Sequence, residues 1–275
     1  MGHWYTKDGE PMHYIVGANG KERDTNLRDA RKLNLFPSYT GIADQLAKPG
    51  LEAWKQNNLL YAALTTPRPE GISDDEFLKI VRLSAAEEAE KAKLRGNEIH
   101  DCIEALWKDN TGEAMDYPPD VMAISSAAIP VITDYCLSDN FTPEKTFASP
   151  LGYGGMIDLV SNEYDNRNES DPSYNRLRWL VDYKTKDISD EQWQLYEDKK
   201  NPRIAYPNNL QQLVVYDRGL GQSGRRLLNV YIDRTIPGRV ILHEWTDMEA
   251  ADREFTKFMD LLHHWQTDKQ YAPES

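Results

Sequence analysis

Cysteine is nearly absent from this chain. Only Cys102 and Cys136 occur among 275 residues, which excludes a disulfide framework and any iron–sulfur cluster that needs four cysteines from one chain. Two such thiols read as buried and reduced. Long apolar runs are missing too: no window approaches the roughly 20 residues that a membrane-spanning helix requires, so no membrane partner is expected. Met1–Gly20 has neither an apolar h-region nor an Arg-rich amphipathic pattern, so no signal or transit peptide is expected and the reading is of a cytoplasmic protein. Positive charge is the third scarcity. Lys and Arg number 32 against 45 Asp and Glu, a formal net charge of −13, which argues against a protein that coats nucleic acid with its whole surface. It leaves room for a carboxylate-rich site that works with divalent cations, with a local basic stripe on an acidic body.

What is present is ordinary for a folded globular chain: 40% hydrophobic and 28% charged residues, enough for one large domain with a substantial core. Asp8-Gly9 suits a tight hairpin turn. Pro37-Ser38-Tyr39-Thr40 opens a helix through Leu46 with Ser38 or Thr40 as its cap, and its free N–H groups could receive a phosphate. A second helix over Leu51–Leu64 places Leu51, Trp54, Asn58 and Tyr61 near one face, whose plain reading is core packing. Ser73-Asp74-Asp75-Glu76 caps a long helix running to Leu106, with a break expected near Gly96 and a solvated Glu/Lys face over Ala85–Arg95. Asp120–Leu137 is a further helix that Pro130 would kink. Strands are expected at Glu144–Ser149, Tyr153–Ser161 and Leu177–Tyr183, with Asn162–Asn175 a polar excursion between the last two. A short helix carrying Trp193 and Tyr196, a helix over Asn208–Leu220, strands over Arg226–Arg234 and Arg239–Trp245, and a closing helix over Asp247–Trp265 complete the chain. This order predicts an α/β (α+β-like) fold with a central mixed sheet flanked by helices, and excludes a doubly wound dinucleotide fold. Gly152-Tyr153-Gly154-Gly155 leads into a strand with no Gly-Lys-Ser/Thr behind it, so it is no phosphate-binding fingerprint.

Two of the expected strands deliver polar groups where apolar ones would be ordinary. Gly155-Met156-Ile157-Asp158 places an aspartate on one, and in Asp182-Tyr183-Lys184 the period of two points a carboxylate and an ammonium to the same face. Singly, Asp158 could be a strand-end cap, Asp182 and Lys184 a surface ion pair, and His100 a satisfied helix histidine. Jointly, two carboxylates and an imidazole make an oxygen- and nitrogen-rich site suited to Mg²⁺ or Mn²⁺. Lys184 beside them could orient or help deprotonate a water. Gln212 and Tyr216 lie one helical turn apart and could be aimed together at the lysine or at a phosphate oxygen.

Gly96 to His100, Gly155 to Asp158, Asp182-Tyr183-Lys184 and Gln212 to Tyr216 resemble the successive motifs of PD-(D/E)xK nucleases of the RecB-like branch. Pro37 to Thr40 and Lys48-Pro49-Gly50-Leu51-Glu52-Ala53-Trp54-Lys55 look like the N-terminal helices of phage exonucleases and of the mitochondrial genome maintenance exonuclease. The resemblance implies a restriction-endonuclease-like core within a single nuclease domain over residues 1–275. N-terminal arm and helices would span 1–72, the catalytic core 73–245 and a C-terminal helix 246–275. It implies one or two Mg²⁺ or Mn²⁺ ions held by His100, Asp158, Asp182 and the main-chain carbonyl of Tyr183, with Lys184 the catalytic lysine. Gln212 and Tyr216 would organise the site and contact DNA. Glu144 stands where related sequences often carry an acid, Glu104 could support His100 or be a plain surface acid, and Ser38, Thr40 and Lys186 are candidate phosphate contacts. The implied activity is that of a metal-dependent DNA exonuclease acting on single strands or free ends in phage-type replication, recombination or repair, in the host cytoplasm if phage-encoded. A replication or recombination protein is a possible partner, and a monomer the expected state. An endonuclease on the same fold, or an inactive nucleic-acid-binding module, are the alternatives. No helicase motifs are present, and the four cysteines of cluster-bearing relatives are missing.

Overall fold

The computed structural model describes residues 3–46, 49–108, 113, 116–161, 178–221 and 224–274; the expected polar excursion at Asn162–Asn175 lies outside them. Two small antiparallel pairs open the chain. Strand β1 (Trp4–Tyr5) pairs with β4 (Phe36–Pro37), and β2 (Tyr14–Val16) with β3 (Glu22–Asp24). The Asp8-Gly9 turn is present, with Gly9 N–H donating to Thr6 O at 3.0 Å and Tyr5 bridging Pro11. Helices α1 (Leu27–Leu33), α2 (Tyr39–Ala43), α3 (Pro49–Thr65), α4 (Asp74–Trp107) and α5 (Pro119–Cys136) follow. The main sheet then begins with β5 (Phe141–Ser149), β6 (Tyr153–Ser161) and β7 (Trp179–Lys186). It is completed by α6 (Asp190–Glu197), α7 (Pro207–Gly219), β8 (Arg226–Asp233), β9 (Val240–Trp245) and α8 (Met248–Lys269).

The central sheet has the order β5-β6-β7-β8-β9, with β7 and β8 parallel and every other pair antiparallel. A parallel pair needs a crossover, and α6 and α7 supply it. The mixed α/β architecture read from the element order is therefore the one observed. Each face of the sheet has its own core. Leu159, Trp179, Val181, Tyr183, Leu228 and Val230 pack with Ile99, Ile103, Ile124 and Ile132 of α4 and α5. On the other face Ile157, Val160, Leu180 and Leu227 pack with Leu213, Val214 and Tyr216 of α7, Phe258 and Leu262 of α8, and Trp4, Tyr39 and Ile42 from the N-terminal segment. No described helix is long and apolar enough to cross a membrane.

Three helix expectations are corrected. The stripe on α3 is not core: Leu51, Trp54, Leu60, Tyr61 and Leu64 are exposed, and only Ala62 is buried. Helical periodicity marks an apolar face but does not say what meets it, and α3 packs along α4, which buries only Val81 before Gly96. Nor does α4 break at Gly96. It is continuous over 34 residues, and Gly96 serves close approach instead, since a Cβ there would stand 2.6 Å from Thr185 Oγ1 of β7. The helix after Pro37 is shorter than expected, ending at Ala43.

Gly155 answers a similar demand on the other face. A Cβ at that position would lie 2.7 Å from Tyr216 Cε1 and 3.0 Å from Phe147 Cε1, so its absence lets α7 settle onto β6. Gly155→Ala should lower the unfolding free energy by about 1–3 kcal/mol through overpacking. Urea denaturation checks this, and an unchanged midpoint would show that the two rings have room to move.

Candidate functional site

The β6–β7 ladder begins in register, with Val160 opposite Leu180 and Leu159 opposite Val181. Continuing that register brings Asp158 opposite Asp182, and there the described ladder ends. Two like charges facing each other across adjacent strands repel. Instead of a main-chain carbonyl, the Asp158 carboxylate takes the next N–H, accepting from Tyr183 N at 2.7 Å. On the other side of β6, Pro143 and Lys145 of β5 pair with Leu159 and Ile157, so Glu144 falls opposite Asp158. Glu144 has φ +47°, a left-handed conformation uncommon for a residue other than glycine. Glu144 and Asp158 thus stand in register on β5 and β6, with Asp182 at the position just beyond the end of the β6–β7 ladder.

Asp182 is buried, and Lys184 Nζ lies 2.8 Å from its Oδ1 and 2.7 Å from its Oδ2. The same ammonium donates to Gln212 Oε1 of α7 at 3.0 Å, which ties the helix to the strand. From the opposite face α4 delivers His100, whose Nδ1 is 4.0 Å from Asp158 Oδ2 and whose ring meets Tyr183 edge to face at 5.7 Å. The Tyr183 hydroxyl accepts from Trp107 Nε1 at 2.9 Å, leaving that residue's main chain as its link to the site. The Tyr216 ring lies against Gly155 and meets Tyr39 and Phe147 edge-on.

The other expected residues divide. Glu104 forms an ion pair with Lys108, which also approaches Glu144 at 3.9 Å, so Glu104 is tied to Glu144 through a lysine and not through His100. Ser38 accepts from Gly41 N at 3.0 Å as the cap of α2, and Thr40 Oγ1 lies 3.1 Å from Ser38 Oγ. A five-residue helix with its cap engaged offers little of the dipole that a phosphate site there would use. Lys186 stands over the Tyr206 ring, 5.8 Å from its centroid.

Burial dominates the electrostatics. It raises the Asp158 carboxyl above its ordinary value against the opposing pull of Lys184 and of the Tyr183 N–H, and Glu144 adds to the rise. Burial pushes Asp182 up to about 6, with Lys184 opposing and Asp158 reinforcing. His100 is lowered, chiefly by burial, against Asp182, so its imidazole is neutral near pH 7. The Tyr216 phenol is held far above its usual range by burial and stays a hydrogen-bond donor. Asp158 and Asp182 together outweigh the one cation between them. A buried Asp182 and a half-buried Asp158, with a neutral imidazole and a main-chain carbonyl alongside, are donors of the kind a hard divalent cation takes. Among the described residues no group of three or more His, Cys, Asp or Glu side chains is arranged to hold a metal ion.

Sequence reasoning missed Asn229. It lies directly beside Asp182 in the parallel register and donates from Nδ2 to Asp182 Oδ2 at 2.7 Å. A single amide interrupting Leu227-Leu228-Asn229-Val230-Tyr231-Ile232 was the available signal. Neither a scan against protein-family models nor a search of curated proteins finds a match to this chain.

A titration consequence follows for the cation-free protein. Because Asp182 has a folded value near 6, above its unfolded 3.8, the folded state holds the extra proton between those limits. Its contribution to stability is therefore present below about pH 4 and lost as pH rises through about 6. In EDTA, the unfolding free energy of the wild type relative to Asp182→Asn should fall over that window, as followed by urea titrations at several pH values. A flat difference would show that Asp182 is not so shifted.

Proposed function

We propose that this chain is a metal-dependent deoxyribonuclease that degrades DNA from free ends or along single strands. The observation that carries the reading is the convergence of Asp158, Asp182, Lys184 and Gln212 where β6 and β7 part. Its order of motifs is that of the RecB-like PD-(D/E)xK pattern, which supports a hydrolase reading over a plain buried ion pair. Asp158, Asp182, the His100 imidazole and the Tyr183 carbonyl would hold Mg²⁺ or Mn²⁺. When bound, such an ion lowers the pKa of an attached water and neutralises charge developing on phosphate.

The chain's own groups have separable roles. Lys184 Nζ, fixed between Asp182 and Gln212, is placed to orient the attacking water. Gln212 spends its carbonyl on that lysine and keeps its amide N–H groups for a phosphate oxygen. Tyr216, buried against Gly155, Tyr39 and Phe147, would hold α7 and its Gln212 in place and not touch DNA itself. Hydrolysis would add a water oxygen to phosphorus and break the P–O3′ bond, leaving a 5′-phosphate and a 3′-hydroxyl. The net charge of −13 favours a substrate bound locally and with cations over one attracted to the whole surface.

The test is degradation of end-labelled single- and double-stranded DNA with Mg²⁺, Mn²⁺ or EDTA. Lys184→Ala and Asp182→Ala should each lower the rate by about a hundredfold or more while circular dichroism stays that of the wild type. Full activity in either variant would remove the assignment. A covalently closed single-stranded circle should survive; its cleavage would make the enzyme an endonuclease instead. Because Asp182 must give up its proton to hold a cation, metal-dependent activity should also decline as pH falls through about 6.

A further inference from the structure

The carboxylate at the centre of the site is held from behind by a two-step relay that begins on the edge strand. Trp245, the last residue of β9, donates from Nε1 to Asn229 Oδ1 at 2.7 Å, and Asn229 of β8 donates from Nδ2 to Asp182 Oδ2 at 2.7 Å. The indole N–H can only donate and the ionised carboxylate can only accept, so the amide between them has one permitted orientation. The amide is fully buried, with 0% exposure, and a flip would set two donors and two acceptors against each other. Asn229 and Asp182 are register partners in the parallel β7–β8 pair, so the backbone ladder holds the two side chains at this spacing.

We propose that Asn229, oriented by Trp245, is a positioning residue for the cation site, fixing which oxygen of Asp182 a divalent ion can use. This rests on the metal-dependent reading given above. Both oxygens of Asp182 lie within 2.8 Å of Lys184 Nζ, but only Oδ2 carries a second donor, so Oδ1 is the less committed of the two and the one a cation would take. Partners that orient ligands from outside the coordination sphere govern affinity because the ligand then loses no rotational freedom on binding. A buried asparagine that served only to satisfy a tryptophan N–H would have no need of the carboxylate at the other end.

The experiment titrates Mn²⁺ into the full chain by calorimetry, and separately measures the Mn²⁺ dependence of DNA degradation. Asn229→Ala should weaken Mn²⁺ binding by about tenfold or more and raise the Mn²⁺ concentration for half-activation, while the rate at saturating Mn²⁺ stays close to that of the wild type. Should Asn229→Ala fail to fold, Trp245→Phe keeps the ring in place and frees the amide to turn, and it should weaken binding in the same direction. Wild-type Mn²⁺ affinity in a folded Asn229→Ala, or a lowered saturating rate with unchanged affinity, would overturn the positioning role and leave the nuclease reading standing. If Trp245→Phe alone can be studied, its retaining wild-type affinity overturns it equally. A wild type that binds no Mn²⁺ would overturn both.

Discussion

Two aspartates at the point where β6 and β7 stop pairing set the terms for the middle of the sheet. Ordinary antiparallel pairing would hold Asp158 and Asp182 side by side in a dry layer, where their repulsion is least screened. The strands part instead, and the Tyr183 N–H that pairing would have used is satisfied by one of the carboxylates. Buried main-chain donors must find acceptors somewhere, so the polar side chains and the open ladder are two aspects of one arrangement.

The surrounding elements can be understood as what keeps that opening from collapsing or flooding. On one face α7 is drawn close by glycine at 155 and supplies Gln212 to the lysine. On the other, α4 is drawn close by glycine at 96 and supplies His100. The parallel neighbour β8 stays fully paired along its length, giving Asp182 a rigid side against which its carboxylate is braced. Burial is the main reason both carboxyl groups hold protons more tightly than free aspartate does; the lysine opposes that rise and the neighbouring carboxylates add to it.

How much of this was legible in the sequence differs by residue. Asp182, Tyr183 and Lys184 could be placed because strand alternation fixes which side chains share a face, whatever the rest of the chain does. The order of helices and strands was legible for the same local reason, and it gave the mixed sheet. The aromatic face of α3 misled because the partner of an amphipathic helix is decided by the tertiary path. Gly96 misled in the opposite sense: a weak helix former was read as a break, when its missing side chain is what lets the helix meet β7. Asn229 acquires meaning only through cross-strand register, which pairs residues far apart in the chain and leaves no local trace beyond one polar residue in an apolar run; Glu144 could be named from the motif pattern, but its place opposite Asp158 is likewise a matter of register.

The length of α4 carries a consequence of its own. A helix of 34 residues extends about 50 Å, and its buried positions crowd into the last stretch, from Gly96 to Ala105, with Val81 alone before them. Its outer part is held by its own backbone bonds and by α3, which exposes Leu60, Tyr61 and Leu64 to solvent. The molecule therefore joins two regimes of cohesion in one continuous rod. Amide protons should exchange quickly near Asp74 and slowly near His100, because opening the outer turns disturbs little while opening the inner ones dissolves a core. The imidazole at the site sits at the anchored end of that gradient, so fluctuation of the arm can be large while His100 stays still.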